Sequence, residues 1–318
     1  MPRPDVFGRG RAGSGRLSEV VFAAGRGTRL RPLTERLPKA LVPVLDVPLV
    51  DLALARGAAV GWAARFVNVS HHGRLLRDHL AGRPGVVVLD EGEEPLGTAG
   101  TLRRLLSDLE RTVVTYNCDL VSDLDVAALL DAHAAGVQPA TLAVRRVDAR
   151  ADLVIDGGGP RLVDRRSESR AGYLFLGAAC FDRDVLRAIE SRVPLGLTEG
   201  LLRGLVDAGA VNLFEHEGYA CDSGTYQRLV RASVDMLARP DVVRAPGAIS
   251  ADVPAYAGPG ALVEDASLGP GAIVLAGAEV GAGASLRDCI VWPGEHVPAG
   301  AALANGIYFD GSFIPAGA

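Results

Sequence analysis

The sequence predicts an α/β protein: a Rossmann-like, mostly parallel sheet with helices on both faces, plus a short C-terminal left-handed β-helix. Two patterns predict this fold. Between Ser18 and about Ala238, short apolar strands alternate with helix-like stretches, which is typical of a parallel sheet covered on both faces. From about Pro246, small or apolar residues recur every six positions, and neither a helix nor a simple strand has that period.

Five short apolar runs are the candidate strands of the sheet, at residues 20–24, 66–69, 86–89, 112–116 and 140–144. Helical patterns lie between them, at residues 50–60, 75–80, 101–109 and 126–135. Ligands of such sheets bind beyond the carboxyl ends of the strands. We therefore expect the functional site in the turns that follow these runs.

The C-terminal repeat consists of two rows of small or apolar residues in the same phase. The first row is Leu262, Leu268, Val274, Val280, Leu286 and Trp292, and the second is Ala266, Ala272, Ala278, Ala284 and Ile290. Three short strands per triangular coil produce this spacing, which predicts a hexapeptide left-handed β-helix of a few coils. Because stacked coils leave an open edge that a neighbour can cover, we expect a homo-oligomer assembled through the β-helix.

Length and composition set the domain organisation and exclude several classes of protein. The 318 residues divide into a disordered Arg/Gly-rich extension at 1–17, a sheet domain at 18–240 and the β-helix at 246–318. The net charge of −5 gives no case for nucleic-acid or membrane binding, and no run of about 18 apolar residues predicts a membrane helix. The N-terminus lacks an apolar signal sequence and the four cysteines lack C-x-x-C spacing, so we expect free thiols and a cytoplasmic protein.

The most informative segment is the turn after the first apolar run. Gly25-Arg26-Gly27-Thr28-Arg29 follows the run directly, and Lys39 lies ten residues after Arg29. A glycine turn lets backbone N–H groups approach an anion, and Arg29 and Lys39 add two positive charges beside it. This combination indicates a site for a nucleoside triphosphate. The turn is neither a Walker A loop, which needs Gly-Lys-Ser/Thr, nor a dinucleotide turn, because Leu30 occupies the third glycine position.

Residues 20–45 resemble the signature of the sugar-nucleotide pyrophosphorylases, the nucleotidyltransferases that join a nucleoside triphosphate to a sugar 1-phosphate. That signature runs apolar-Ala-Ala/Gly-Gly-x-Gly-Thr-Arg-Leu-x-Pro-Leu-Thr and continues to Pro-Lys, and nearly every position is met here. The resemblance implies catalytic roles for Arg29 and Lys39. It also implies nucleotide contacts along the turn, at Ala23, Ala24, Gly25, Gly27 and Thr28. Several of these enzymes end in a short β-helix, so the two patterns support each other.

A second motif, at residues 95–102, reads Pro-Leu-Gly-Thr-Ala-Gly-Thr-Leu. A turn of small residues at the start of a helix offers free N–H groups and room for a flat base. By itself the motif fits an ordinary helix start, with Thr98 as N-cap, at least as well. The resemblance implies nucleotide contacts at Gly97, Thr98 and Gly100, and the motif is most similar to that of mannose-1-phosphate guanylyltransferases.

Two aspartates follow strand-like segments. Asp119 ends Thr-Val-Val-Thr-Tyr-Asn-Cys-Asp, and Asp222 lies within Tyr-Ala-Cys-Asp-Ser-Gly-Thr. Each aspartate alone fits a turn or a helix cap. The resemblance implies that Asp119 is catalytic and that Asp119 and Asp222 together bind Mg²⁺, with Asn117 beside the sugar. Cys118 departs from the family, which usually has glycine there.

The remaining candidates rest on weaker matches. Gly177 and Glu199 resemble the family's sugar contacts. The family's Glu-Lys-Pro, whose lysine holds the sugar phosphate, is absent, and either an arginine of residues 165–170 substitutes or that loop is simply solvated. His71 and His72 lack a third ligand at metal spacing and fit a structural or cleft-rim role. A nucleophilic pair of Cys118 and His72 is a remote option that requires the second and fourth strands to approach.

These observations predict nucleotidyl transfer, in which the sugar 1-phosphate attacks the α-phosphorus of the triphosphate and pyrophosphate leaves, with no protein nucleophile. GTP with mannose 1-phosphate, or with a related sugar or cyclitol phosphate, fits best. Thymidylyl, uridylyl or adenylyl transfer to another sugar phosphate is the alternative within the class. From another class, a non-catalytic subunit that binds a sugar nucleotide is favoured by Cys118 and the missing lysine. A hexapeptide-repeat acyltransferase is disfavoured, because the solenoid is short and contains only His296.

Overall fold

The computed structural model describes residues 17–155, 159–163, 170–250 and 253–317. The predicted extension at 1–17 lies outside these ranges except for Leu17, and there the prediction is wrong, because Leu17 begins the first strand. In the first part of the chain the strands are β1 Leu17–Phe22, β2 Pro43–Val44, β3 Val47–Pro48, β4 Ala64–Val69, β5 Val86–Asp90, β6 Thr112–Asn117, β7 Leu120–Ser122, β8 Ala140–Val147, β9 Leu153–Ile155, β10 Pro160–Leu162, β11 Gly172–Asp182, β12 Asn212–Glu215 and β13 Ala220–Asp222.

The helices are α1 Leu33–Arg36, α2 Leu49–Arg56, α3 Gly73–Leu80, α4 Thr98–Leu105, α5 Val126–Ala135, α6 Arg203–Asp207, α7 Tyr226–Leu237 and α8 Pro240–Val243. Helix α5 has the predicted bounds, whereas α2 ends at Arg56, before the predicted residue 60, with Gly57 as its C-cap. In the part of the chain that the structure describes, no helix has the length and apolar character needed to span a membrane.

Strand β1 lies at the centre of the main sheet, whose order is β10-β9-β11-β6-β1-β4-β5, with β8 paired to β11 and β12 paired to β8. It is parallel to β4 and β6, and β4 is parallel to β5. Strand β11 is antiparallel to β6 and β8, so the sheet is mixed with a parallel centre. The order reverses at β1, with β4 and β5 on one side and β6 on the other. Such a reversal opens a crevice beyond the carboxyl ends of the strands, here β1 and β6.

Alternate side chains of β1 and of the residue after it face opposite sides of the sheet. Val20 and Phe22 pack in a buried cluster with leucines of α4 and of residues 186–202. Val21 and Ala23 pack in a second cluster with side chains of α2, α3 and α5. Helices therefore cover both faces of the sheet, as the alternation of strands and helices predicts.

Short strands continue to the C-terminus: β14 Ala248–Ile249, β15 Tyr256–Ala257, β16 Leu262–Val263, β17 Ser267–Leu268, β18 Ala272–Val274, β19 Glu279–Val280, β20 Ser285–Val291, β21 His296–Val297, β22 Ala302–Phe309 and β23 Ser312–Pro315. Parallel pairs join strands 17 or 18 residues apart, as in Tyr256 with Ile273 and Ser267 with Ser285. The pairs form three rows, which contain β15-β18-β20-β22, β16-β19-β21 and β17-β20-β22.

The two predicted rows of small and apolar residues are buried unevenly. Ala272, Ala278 and Ala284 are fully enclosed, whereas Leu262 at the start of the repeat is 51% exposed. A coil of three six-residue repeats would pair each residue with one 18 positions away. Val274 pairs instead with Val291, which is 17 positions away, so the six-residue spacing is not strict throughout.

The C-terminal strands pack against the loop that follows the glycine turn. One buried cluster combines side chains of this loop, of α7 and of the C-terminal strands, namely Leu30, Leu33, Leu45, Tyr226, Met236, Ile273, Ile290, Trp292 and Ile307. Asp46, at the tip of the β2–β3 hairpin, accepts hydrogen bonds from the Tyr256 hydroxyl and from the Ala276 N–H, each at 2.9 Å. The C-terminal segment therefore supports residues 29–49.

We expect Tyr256→Phe to lower the free energy of unfolding by about 1–3 kcal/mol, because it leaves an Asp46 oxygen and the Gly247 N–H without their partner. Urea denaturation followed by circular dichroism measures the change. Asp310→Asn, which removes an exposed ion pair with Arg36, is the control and should cost at most about 1 kcal/mol. Equal stability of Tyr256→Phe and the wild type would show that the hydroxyl does not anchor the hairpin.

Candidate functional site

Gly27 brings the turn after β1 against Lys39. Its φ of 62° lies in the left-handed region that favours glycine. A Cβ atom on Gly27 would lie 2.8 Å from Thr34 Cγ2 and 3.0 Å from Lys39 Cβ, so a larger residue would displace both. The Thr34 hydroxyl donates to the Gly27 carbonyl at 2.9 Å, which holds the turn in place.

Lys39 forms an ion pair with Asp119, two residues beyond the end of β6. The ammonium group donates to Asp119 Oδ2, and only 10% and 20% of the two side-chain surfaces are exposed. An ion pair screened from water in this way is stronger than a surface pair and is costly to disrupt by removing one partner. The pair joins the loop after β1 to the carboxyl end of β6.

Asp222, at the end of β13, lies beside this pair. Ser223 donates to the Asp119 carbonyl from its N–H and from its hydroxyl, each at 2.9 Å. Asp222 accepts hydrogen bonds from the Gly224 N–H at 2.7 Å and from Arg228 Nη1 at 2.5 Å. These bonds tie the two aspartate-bearing segments together.

Gly224 marks the point at which the charged side chains meet. A Cβ atom on Gly224 would lie 2.6 Å from Asp222 Oδ1, 2.7 Å from Arg29 Nη2 and 3.1 Å from Lys39 Nζ. Because Asp119 is bonded to Lys39, all the predicted catalytic and metal-binding residues come together here. Among the described residues, no group of three or more His, Cys, Asp or Glu side chains is arranged to hold a metal ion. Asp119 and Asp222 would therefore need further ligands from substrate or water.

A cleft of about 970 Å³ opens beside these charges. Asn117, Gly177 and Glu199, the three residues predicted to contact the sugar, all line it. Gly177 has φ 75°, and a Cβ atom there would lie 2.6 Å from Asn117 Nδ2. The lining further includes Arg29, Thr98, Asp119, Asp222, several leucines and three more arginines, Arg203, Arg228 and Arg231.

The predicted nucleotide contacts along the turn line neither this cleft nor a second one of about 520 Å³. The N–H groups of Ala23 and Ala24 donate to Asn68 Oδ1 at 2.6 and 3.3 Å, so these two groups already have a partner. Gly25 is the open position, since a Cβ atom there would meet nothing within 4 Å. The second cleft lies at the loops after β1, β4 and β5, where Arg26, His71, His72, Gly92 and Glu93 contribute to its lining.

The turn at Gly97 contradicts the prediction of free N–H groups. The N–H groups of Ala99 and Gly100 donate to the Leu195 carbonyl at 2.9 and 3.3 Å. A Cβ atom on Gly97, whose φ is 78°, would lie 2.5 Å from that carbonyl oxygen. The small residues of this motif therefore allow the segment around Leu195 to cover the start of α4.

Thr98 is the first residue of α4 rather than its N-cap. Its hydroxyl oxygen accepts a hydrogen bond from the Leu197 N–H at 2.8 Å, which ties the start of α4 to the segment that leads to Glu199. Thr98 also lines the main cleft, whereas Gly97 and Gly100 do not.

Three buried or half-buried polar residues that sequence reasoning missed organise these loops. Asn68 Nδ2 donates to Glu91 Oε1 at 2.9 Å and to Thr101 Oγ1 at 3.0 Å. The Thr101 hydroxyl donates to Glu91 Oε1 at 2.6 Å, and Glu91 Oε2 accepts from the Leu96 N–H at 2.8 Å. Thr101 belongs to the motif at residues 95–102, but its sequence does not show that its hydroxyl is bonded to Glu91 and Asn68, and no motif marks Asn68 or Glu91.

Cys118 is a buried thiol and not a nucleophile. Burial, and then the nearby charge of Asp119, raises the pKa of the thiol to about 12, so it stays protonated at neutral pH. All four cysteines are free, as predicted. His72, the remote partner option, lies in the second cleft, where its Nε2 is buried and has no hydrogen-bond partner among the described residues.

The region that replaces the family's Glu-Lys-Pro lies mostly outside the described residues, which omit 164–169 and with them Arg165 and Arg166. Arg170 is described, and its carbonyl accepts a hydrogen bond from the Ala151 N–H at 3.2 Å. The phosphate-binding role of an arginine from this loop stays a prediction.

We expect Gly97→Ala to be much more destabilising than Gly92→Ala. Both glycines have positive φ, 78° and 77°, so both substitutions strain the backbone, and Gly97 with ψ 157° lies in a region that essentially only glycine adopts, at a cost of about 1–3 kcal/mol. Only the Cβ atom at position 97 meets the Leu195 backbone, which adds about 1–3 kcal/mol of overpacking. Urea unfolding of the two variants measures the difference, and equal losses would contradict the close contact.

Comparison with known proteins agrees with this geometry. Residues 18–152 match the family described as nucleotidyl transferase. A mannose-1-phosphate guanylyltransferase of Mycobacterium tuberculosis is 27% identical over 278 residues, which cover 84% of this chain and 76% of that protein. An N-acetylmuramate alpha-1-phosphate uridylyltransferase of Caulobacter vibrioides is 38% identical over 127 residues, which cover 38% of this chain and 52% of that protein. This chain thus aligns with about half the length of the second relative.

The fold also has a counterpart among crystal structures. A Bacillus anthracis protein described as a glucose-1-phosphate thymidylyltransferase, in complex with sucrose, superposes with a TM-score of 0.59 at 19% sequence identity. The superposition covers 68% of this chain and 94% of that one. At this level of identity the likeness concerns the fold.

Proposed function

The chain belongs to the sugar-1-phosphate nucleotidyltransferases, and we propose that it joins GTP to mannose 1-phosphate, or to a related sugar or cyclitol phosphate, with release of pyrophosphate. One observation carries the proposal: Arg29, Lys39, Asp119 and Asp222 meet beside a cleft large enough for a sugar phosphate. Cations stabilise the charge on the phosphates during such a transfer, and carboxylates can hold a metal ion that adds to this effect.

In the proposed reaction, a phosphate oxygen of the sugar 1-phosphate attacks the α-phosphorus of the triphosphate in line. The new oxygen–phosphorus bond forms as the bond to the leaving pyrophosphate breaks. Arg29 and Lys39 neutralise charge on the phosphates, while Asn117 and Glu199 bind sugar hydroxyls. The protonated thiol of Cys118 takes no part. Catalysis then comes from positioning and charge neutralisation, with no covalent bond to the protein.

Mg²⁺ fits the pair of carboxylates at Asp119 and Asp222. This ion prefers one or two carboxylates and completes its octahedron with phosphate oxygens and water, which suits a site with two aspartates and no third acidic ligand. When bound, it would add positive charge at the phosphates. Lys39 and Arg228 are each bonded to one of the aspartates, and both aspartates line the cleft.

We place the triphosphate along the turn at Gly25 and the base in the second cleft. The open space around Gly25 and the lining of that cleft by Arg26 support this placement. The choice of guanine as the base is supported by the resemblance of the motif at Gly97 and by the Mycobacterium tuberculosis relative, which is named for guanylyl transfer. Uridylyl and thymidylyl transfer, for which other similar proteins are named, and adenylyl transfer are the alternatives.

For the domains, we propose a catalytic unit at 18–240 and a left-handed β-helix at 246–318 through which the protein forms a homo-oligomer. Parallel pairing at intervals of 17 or 18 residues, in three rows, supports a β-helix with three strands per coil. The handedness follows from the hexapeptide resemblance.

A non-catalytic subunit that binds a sugar nucleotide is the second candidate. Cys118 favours it, because a buried side chain stands beside Asp119 where the family usually has glycine. The ion pair of Lys39 with Asp119 and the nearby Asp222 argue against it, since a binding subunit has no need of the full set of catalytic charges.

Pyrophosphate release distinguishes the two candidates. Purified protein with Mg²⁺ is given GTP, dTTP, UTP, ATP or CTP, each with mannose, glucose or heptose 1-phosphate. Turnover with GTP and mannose 1-phosphate is the expected result, and turnover with another pair would support one of the alternative substrates. Absence of turnover, with a triphosphate still raising the melting temperature, would support the binding subunit.

We expect Lys39→Ala to lower kcat about 10²–10³-fold, because it removes a cation that stabilises the transferred phosphoryl group. Asp119→Ala should lose a similar amount. Pyrophosphate release measures both, with circular dichroism as the check that the variants fold. Arg36→Ala is the control, since Arg36 is exposed and pairs with Asp310 away from the cleft. Wild-type turnover in Lys39→Ala would contradict its catalytic role.

A further inference from the structure

A continuous set of hydrogen bonds runs from the turn after β1 to the segment that carries Glu199. Its first part centres on Asn68, a side chain only 3% exposed. Asn68 Oδ1 holds the N–H groups of Ala23 and Ala24, and its Nδ2 donates to Glu91 and Thr101. The proposed nucleotide turn is thereby fixed to the loop after β5.

The second part connects that loop to the sugar side of the main cleft. Glu91 Oε2 accepts from the Leu96 N–H, and the Leu96 carbonyl accepts from the Leu195 N–H at 2.9 Å. Two residues further along each segment, the Thr98 hydroxyl oxygen accepts from the Leu197 N–H at 2.8 Å. Leu197 precedes the π-helical turn Thr198–Leu202, which carries Glu199 into the cleft.

Glu91 is the least replaceable member of this set. Its two carboxylate oxygens face three donors: the Asn68 amide, the Thr101 hydroxyl and the Leu96 N–H. A glutamine would present an NH₂ group to at least one of these donors, whichever way its amide is turned. A buried donor that faces another donor is costly, so the loops would have to move apart.

We infer that Glu91 and Thr98 are positioning residues that couple the two substrate sites, so that a bound triphosphate strengthens the binding of the sugar 1-phosphate. The inference rests on the proposed function. Its physical basis is that the bonds join both sites through enclosed groups that have few alternative partners. Contacts that the first substrate makes with one loop then favour, through these bonds, the position of the other loop that binds the second substrate.

Calorimetry measures this coupling directly. The dissociation constant of mannose 1-phosphate is determined in Mg²⁺ with and without the α,β-methylene analogue of GTP, which does not turn over. We expect the analogue to tighten binding at least about fivefold in the wild type, the lower end of typical couplings. Thr98→Val keeps the branched shape but removes the acceptor for Leu197, so the factor should fall to near 1. Thr98→Ser keeps the hydroxyl acceptor and should restore the coupling factor of the wild type.

Glu91→Gln supplies a second measurement. We expect this variant to lower kcat/KM about 10–100-fold while its melting curve stays cooperative. Glu217 is an exposed carboxylate outside the set, so the control variant Glu217→Gln should match the wild type. An active wild type whose coupling factor is unchanged in Thr98→Val would overturn the inference and leave the proposed function intact. A wild type with no turnover for any substrate pair would overturn the proposed function, and this inference with it.

Discussion

The ion pair between Lys39 and Asp119 holds together the two loops on which the site depends. The parallel pairing of β1 with β6, in which Phe22 lies opposite Asn117, brings the carboxyl ends of these strands side by side. Lys39 comes from the loop after β1, and Asp119 follows β6. Loss of one partner from a pair so far removed from water costs about 3–5 kcal/mol, so the loops stay together until a substrate offers new partners.

Support for these loops comes from parts of the chain that lie far away in sequence. Helix α7 begins beside the site, where Arg228 reaches Asp222, and farther along Met236 packs in the cluster that contains the C-terminal strands. The same cluster encloses the apolar side chains of the loop that bears Lys39. The C-terminal segment therefore packs with both elements that support the charged groups, α7 and the β2–β3 hairpin.

The parallel centre of the sheet and the charged groups of the site could be predicted from the sequence. Helix α5 was predictable because its pattern is long, whereas β9 and β12 were not, because three or four residues are too few to show a period. Asp119 and Asp222 belong to motifs, and their chemistry is visible in the residue type. The structure of the Gly97 turn could not be predicted, since nothing in its own sequence shows that the Leu195 carbonyl covers the start of α4.

The proposed direct transfer between two bound substrates is supported by the paired charges beside the cleft and by the burial of Cys118, which keeps its thiol protonated. Exchange of isotopically labelled pyrophosphate into GTP tests this most directly. Without a sugar phosphate we predict no exchange, and addition of mannose 1-phosphate should start it, because the label can enter GTP only through reversal of the complete reaction. Exchange with GTP alone would require a nucleotide bound covalently to the protein and would contradict transfer by positioning and charge.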